Sequence, residues 1–163
     1  MYEFKTLEGV SPESLYPVFL AALEGTPLAG GATPEAFRRM LRDCGYLADA
    51  SMGAFDTGTG KPVSMILNSI HISAGNATAC GILTGTLPEH RRQGLAAALL
   101  DRLIPLLREH QVTLYTTEIL RENTAALALC RSHGFEITGE IATGLPSADD
   151  NREICQYTLA LRL

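Results

Sequence analysis

The apolar positions of this chain change period several times, and each change marks an element. Residues 2–6 alternate apolar and polar and predict a short first strand. Ser11-Pro12-Glu13 then reads as a helix start, with Ser11 as N-cap, Pro12 in the first turn, and Leu15, Val18, Phe19 and Ala22 on one face. Residues 25–32, rich in Gly and Pro, break that pattern. Thr33-Pro34-Glu35 repeats the start signal for a second helix ending near Gly45. Residues 50–55 and 62–72 read as strands joined by Asp56-Thr57-Gly58-Thr59-Gly60, and Ala74-Gly75-Asn76 turns the chain into a third strand, residues 77–87. Such short connections predict an antiparallel meander.

From about Gly94 the spacing becomes helical. Leu95, Leu99, Leu103 and Leu106 recur on one side with Ala96, Leu100 and Ile104 beside them, a stripe wide enough to predict burial on a sheet. Pro105 removes one helical hydrogen bond at an interior cost of about 3 kcal/mol, so a kink, or a last turn held by packing, is expected there. Residues 112–119 are β-rich, and a strand reached from the previous one through a helix implies a parallel crossover. Asn123 caps a further helix running through Ala126 and Cys130 to His133, with Gly134 closing it. Residues 135–142 and 154–161 form the last two strands, separated by the polar loop 146–152.

A length of 163 residues suits one domain, 1–163, and a composition 46% hydrophobic and 19% charged is that of an ordinary soluble protein. The longest apolar runs are far short of a membrane span, and the opening Met-Tyr-Glu-Phe-Lys lacks a signal-peptide layout, so a cytoplasmic protein without membrane contact is expected. Cys44, Cys80, Cys130 and Cys155 show none of the close pairs of metal sites; reduced, mostly buried thiols and no metal are expected. A formal charge of −5 argues against nucleic acid as a partner and mildly favours a cationic one.

Candidate chemistry concentrates where the third strand meets the long helix, at Leu87-Pro88-Glu89-His90-Arg91-Arg92-Gln93-Gly94-Leu95-Ala96. A helix N-terminus presents unpaired N–H groups and the positive end of the macrodipole. Gly94 and Ala96 leave room for a ligand to approach, and Arg91 and Arg92 add charge. Taken alone, these residues fit an anion site, and they also fit a basic turn that merely caps a helix.

Arg91-Arg92-Gln93-Gly94-Leu95-Ala96 resembles the Arg/Gln-x-x-Gly-x-Gly/Ala cofactor motif of the GNAT acyltransferase superfamily. The family's Asn-x-x-Ala-x-x-x-Tyr-x-x-x-Gly-Phe has its counterpart downstream in Asn123, Ala126, Cys130, Gly134 and Phe135, and the order β-α-α-β-β-β-α-β-α-β-β resembles the family's over nearly the whole chain. The resemblance implies an α/β (α+β) fold. Its mixed, mostly antiparallel, twisted sheet would have about seven strands, splayed between the fourth and fifth, with helices on both faces. It also implies acetyl-CoA as cosubstrate, with the pantetheine arm in the splay. Expected cofactor contacts are Thr86, Leu87, Arg91, Arg92, Gln93, Gly94, Leu95, Ala96, Asn123 and Ala126, and the N–H of Leu87 would polarise the thioester carbonyl. Capping alone accounts equally well for Asn123.

The implied activity is acetyl transfer to a primary amine, of a small molecule or a peptide, by direct attack in a ternary complex. Cys130 stands where family members commonly carry a tyrosine proposed to protonate the departing thiolate. Cys130 as acid, substitution by Tyr115 or Tyr157, and protonation by water or the product ammonium are the competing readings. Glu118, near the end of its strand, is the candidate base, beside the plain alternative of a surface glutamate. His71, His90, His110 and His133 receive no catalytic role. The rival readings are an acyl-CoA-binding module with weak or no turnover, and a structural α/β protein whose turn binds another phosphate. Monomer and homodimer both remain open.

Overall fold

The computed structural model describes residues 1–146 and 152–163. The elements run β1 (Tyr2–Thr6), α1 (Pro12–Leu23), α2 (Pro34–Asp43), β2 (Met52–Asp56), β3 (Pro62–Ser73), β4 (Asn76–Thr86), α3 (Leu95–Glu109), β5 (Val112–Leu120), α4 (Thr124–Ser132), β6 (Glu136–Pro146) and β7 (Glu153–Arg162). Short 3-10 turns at Ala29–Gly31, Ala48–Ala50 and Pro88–His90 punctuate the connections. One seven-stranded sheet takes the order β1-β2-β3-β4-β5-β7-β6, with β4 and β5 parallel and the other pairs antiparallel. The expected fold class holds, and the meander β2-β3-β4 and the crossover through α3 stand as the spacing predicts.

Local chemistry explains the helix starts. Ser11 Oγ accepts from the N–H of Ser14 and Thr33 Oγ1 from that of Ala36, with Pro12 and Pro34 in the first turns, where a missing N–H costs nothing. Alternation along β3 then sorts the core into two layers. Met65 and Leu67 pack with Leu15, Val18, Phe19, Phe37 and Leu41 of α1 and α2, whereas Ile66 packs with Leu99, Leu103 and Leu107 of α3 and Cys130 of α4.

The expected stripes are extended: Leu107 and Leu23 are also buried, while Leu106 packs partly buried against the core under α3 and Ala22 faces Gly85 of β4. The helix α3 runs unbroken through Pro105, which is exposed, while Leu103 and Leu107 beside it are fully buried. The lost hydrogen bond therefore lies on the solvent side, and packing holds the last turn. The β6 strand extends to Pro146, beyond the expected end at residue 142, so most of the expected loop, residues 147–151, lies outside the described residues.

The register within β4 positions the site. Its pairing with β3 shifts between Leu67 and Asn68, leaving Ile82 as one extra residue. Such a bulge turns the following side chains over. Ala79 faces α3, whereas Leu83 and Gly85 face α1. Gly85 is required there, because a Cβ would lie 2.7 Å from Ala22 Cβ and 2.9 Å from Val18 O. Gly85→Val is therefore expected to cost about 1–3 kcal/mol, the usual toll of overpacking, visible as a lower urea midpoint. Unchanged stability would mean that α1 is not seated on β4 as described.

Candidate functional site

Parallel pairing between β4 and β5 covers only Ala77 to Cys80 on one strand and Val112 to Thr116 on the other. Beyond it β4 stays paired with β3 as far as Thr86, and β5 with β7 as far as Leu120. The sheet is thus split between residues 81–86 and 117–120. The closed end is pinned by Tyr115, whose hydroxyl reaches past β4 to Asn68 Oδ1 at 2.8 Å, while Asn68 Nδ2 donates to Ala50 O. Gly81 leaves room for Thr117, since a Cβ there would lie 2.8 Å from Thr117 Oγ1.

Which backbone groups face the split follows from one hydrogen bond. The N–H of Leu87 donates to Val63 O at 2.8 Å. In an antiparallel ladder the inward-bonding positions alternate, so Leu83, Gly85 and Leu87 turn their N–H and C=O toward β3, and Thr84 and Thr86 turn theirs into the opening. The expectation that Leu87 supplies the polarising N–H is corrected: that proton is already committed, and Thr84 and Thr86 hold the free positions.

The opening runs into the cationic turn. Arg92 and Gly94 both adopt positive φ, 62° and 73°, which swings the chain abruptly into α3. Gly94 is the N-cap and offers no side-chain acceptor, and Ala98 is the first residue of the helix whose N–H bonds back, to Gly94 O. The N–H groups of Leu95, Ala96 and Ala97 are consequently open to a ligand. A Cβ on Gly94 would meet nothing within 4 Å. A cavity of about 200 Å³ lies here, lined by Thr86, His90, Arg91, Arg92, Gly94, Leu95, Ala96, Ala97 and Leu129. From α4 it is Leu129 that reaches the wall; Asn123 and Ala126 do not line it, and Asn123 Oδ1 caps its helix by accepting from the N–H of Ala126.

The two arginines differ. Arg91 donates from Nε to Thr86 O and from Nη2 to Ala21 O and Glu24 Oε2, each at 3.2 Å. Ala21 O is one of the last carbonyls of α1, a helix with no basic residue in its own last turn, so Arg91 supplies the cation its C-terminus lacks. Arg92 makes no hydrogen bond among the described residues and stands exposed at the cavity. The Gln93 side chain faces away from the helix start: Oε1 accepts from Tyr2 and Nε2 approaches Glu89 O. Tyr2 also meets His90, tying β1 to the turn. Sequence reasoning missed this anchor, since 88 residues separate Tyr2 from His90 and only the sheet order joins them.

Glu118 is exposed on β5 and paired in register with Thr158. It alternates with Tyr115 and Ile119, which face α3, so its side chain stands on the α1 side of the split segment. Cys130 is buried against Tyr115 and Phe135, and burial pushes its thiol up to about 11. Burial also raises the Tyr115 phenol, whose proton is committed to Asn68. Tyr157 packs on the α3 side opposite Ile119. All four cysteines are free, but only Cys130 is buried; Cys44 is exposed and Cys80 and Cys155 are half-buried, correcting the expectation of mostly buried thiols. Among the described residues no helix is long and apolar enough to cross a membrane, and no group of three His, Cys, Asp or Glu could hold a metal.

Residues 13–135 match the model of the acetyltransferase (GNAT) family, and the chain belongs to that family. The fold is shared with the ribosomal-protein-S18-alanine N-acetyltransferase from Escherichia coli, at 23% identity and a TM-score of 0.77 over 99% of this chain and 94% of that one. It is shared with a chain of the NatC complex bound to Gag peptide and CoA, at 17% identity, a TM-score of 0.76, and coverage of 99% and 98%. The yncA protein from Salmonella typhimurium, solved with its cofactor acetyl-CoA, gives 16% identity, a TM-score of 0.75, and coverage of 100% and 94%. Identities this low establish the fold alone. No curated protein sequence matches the chain.

Arg91→Ala should lower stability by about 1 kcal/mol through loss of the bonds to α1 and β4, while Arg92→Ala leaves it within about 0.5 kcal/mol. Equal effects in urea melts would contradict this division. Alkaline pH gives a second check. Cys130 rises from 9.0 to about 11 and Tyr46 from 10.0 to about 12, both through burial. A folded state that holds its protons more tightly than the unfolded chain is fully stabilised below the ordinary values and loses that advantage as pH rises toward the folded ones. The urea midpoint should therefore fall through this window, and fall less steeply in Cys130→Ala.

Proposed function

We propose that this chain, as one domain spanning residues 1–163, is a cytoplasmic N-acetyltransferase that moves an acetyl group from acetyl-CoA to a primary amine in a ternary complex. One observation carries the reading: the outward N–H groups of Thr84 and Thr86 lead along the split directly into the uncapped N-terminus of α3. A pantetheine arm has amides to pair with such an edge, and its diphosphate needs N–H donors and a cation where the edge ends. The residues present fit that molecule in type, in order and in the open space beside Gly94.

Acetyl-CoA, when bound, supplies the activated acetyl thioester. The N–H groups of Leu95, Ala96 and Ala97, with Arg92, hold the diphosphate, and those of Thr84 and Thr86 orient the arm and polarise the carbonyl. Glu118, flanking the opening from the side of α1, accepts the proton that the ammonium must lose before it attacks. Cys130 keeps its own proton. A thiol near 11 would be asked to protonate a departing thiolate whose ordinary value is about 8.5, an uphill transfer. With Tyr115 committed to Asn68, the thiolate takes its proton from water or from the product ammonium.

The acceptor is a primary amine of a small molecule or a peptide. Protein and peptide amines gain support from the fold neighbours named for ribosomal-protein alanine and bound to Gag peptide. The replacement of the family's tyrosine by Cys130 keeps one alternative alive, an acyl-CoA-binding module with weak turnover.

Ala96→Glu is the decisive variant. A carboxylate in the first turn favours the helix itself, so the fold persists while charge and bulk occupy the diphosphate position. Binding of acetyl-CoA by calorimetry should weaken by about two orders of magnitude, and thiol release with a panel of amines and N-terminal peptides should vanish. Thiol release by the native chain with no member of the panel, despite binding, would favour the binding module. Undiminished binding by the variant would overturn the site.

A further inference from the structure

The carbonyl of Thr86 is of the wrong kind for an anion. It turns into the opening, because the ladder to β3 takes the N–H and C=O groups of Leu83, Gly85 and Leu87, and Thr86 belongs to the wall of the cavity at the start of α3. The open backbone groups of Leu95, Ala96 and Ala97 on the same cavity are donors. A bare carbonyl oxygen beside them would repel phosphate oxygens, since it can only accept.

Arg91 takes up that carbonyl. Nε donates to Thr86 O, and Nη2 donates to Ala21 O and Glu24 Oε2, each at 3.2 Å. The planar guanidinium is thus fixed through two of its nitrogens, by β4 and by the end of α1, a span that the single nitrogen of a lysine cannot reproduce. Arg92 has no hydrogen bond among the described residues and is left for the anion itself. Glu24 does nothing for its own helix. It is the exposed C-cap of α1, where a carboxylate opposes the macrodipole, and its described partner is Arg91.

We propose that Arg91 is a positioning residue for the diphosphate: anchored by Glu24 and Ala21, it covers the Thr86 carbonyl so that the anion meets donors only, and it does not hold the anion itself. The inference rests on the acetyl-CoA reading and adds that Glu24, an acidic residue, strengthens the binding of an anionic cofactor.

Calorimetric titration of Glu24→Ala with coenzyme A tests this by the direction of the change. Charge alone requires tighter binding, because a carboxylate is removed from beside the anion. Positioning requires weaker binding, by about three- to tenfold, the worth of a single hydrogen bond. Arg91→Lys keeps the charge and should lose as much. Pantetheine, which lacks the diphosphate, should bind both variants as it binds the native chain, whereas a general loosening of the fold would weaken both ligands alike. Coenzyme A bound by Glu24→Ala as tightly as by the native chain or more tightly, full affinity in Arg91→Lys, or equal losses for both ligands each overturn the proposal and leave the acetyl-CoA reading standing. No binding of coenzyme A by the native chain overturns both.

Discussion

The architecture depends on where hydrogen bonding between β4 and β5 stops. Parallel strands beside each other ordinarily pair along their shared length, but here pairing ends at Cys80 and Thr116 while each strand continues against its other neighbour. The extra residue at Ile82 turns the rest of β4 over, so that Gly85 meets α1. The network of Tyr115, Asn68 and Ala50 closes the other end, bridging β5 to β3. An edge of unpaired backbone is usually a hazard. Enclosed within a sheet, it leaves N–H and C=O groups unpaired and open to a ligand that carries amides.

Charge is arranged around that edge with little redundancy. The start of α3 has no capping side chain, so its first N–H groups stay available. Arg91, although first in the cationic motif, spends its guanidinium on the C-terminus of α1 and on Thr86. It couples the helix on one side of the opening to the strand that borders it. Arg92 then remains as the side chain able to meet an anion directly.

Much of this was legible in the chain itself. Capping residues at Ser11 and Thr33 marked helix starts, because those bonds are local, and Gly94 and Ala96 marked a backbone that must stay accessible. Pro105 shows why a local rule yields to packing: its missing bond faces solvent while Leu103 and Leu107 hold the turn from within. The choice between Leu87 and Thr86 was not legible, since it depends on the phase of a ladder shared with Val63. Nor was the anchor at Tyr2, which requires the order of the whole sheet. Glu118 and Cys130 illustrate a further limit: the family resemblance placed them near the opening, but exposure and burial decide what chemistry each can support.

The most direct test of the account is residue-resolved amide hydrogen exchange with and without coenzyme A. The N–H groups of Thr84, Thr86, Leu95, Ala96 and Ala97 should exchange more slowly in the complex, while those of Leu83, Gly85 and Leu87, already bonded to β3, should change little. That alternation along one strand, continued into the first turn of a helix, is the signature of a ligand bound in the split. Protection that spares these positions under saturating ligand, or that falls equally on both sets, would contradict it.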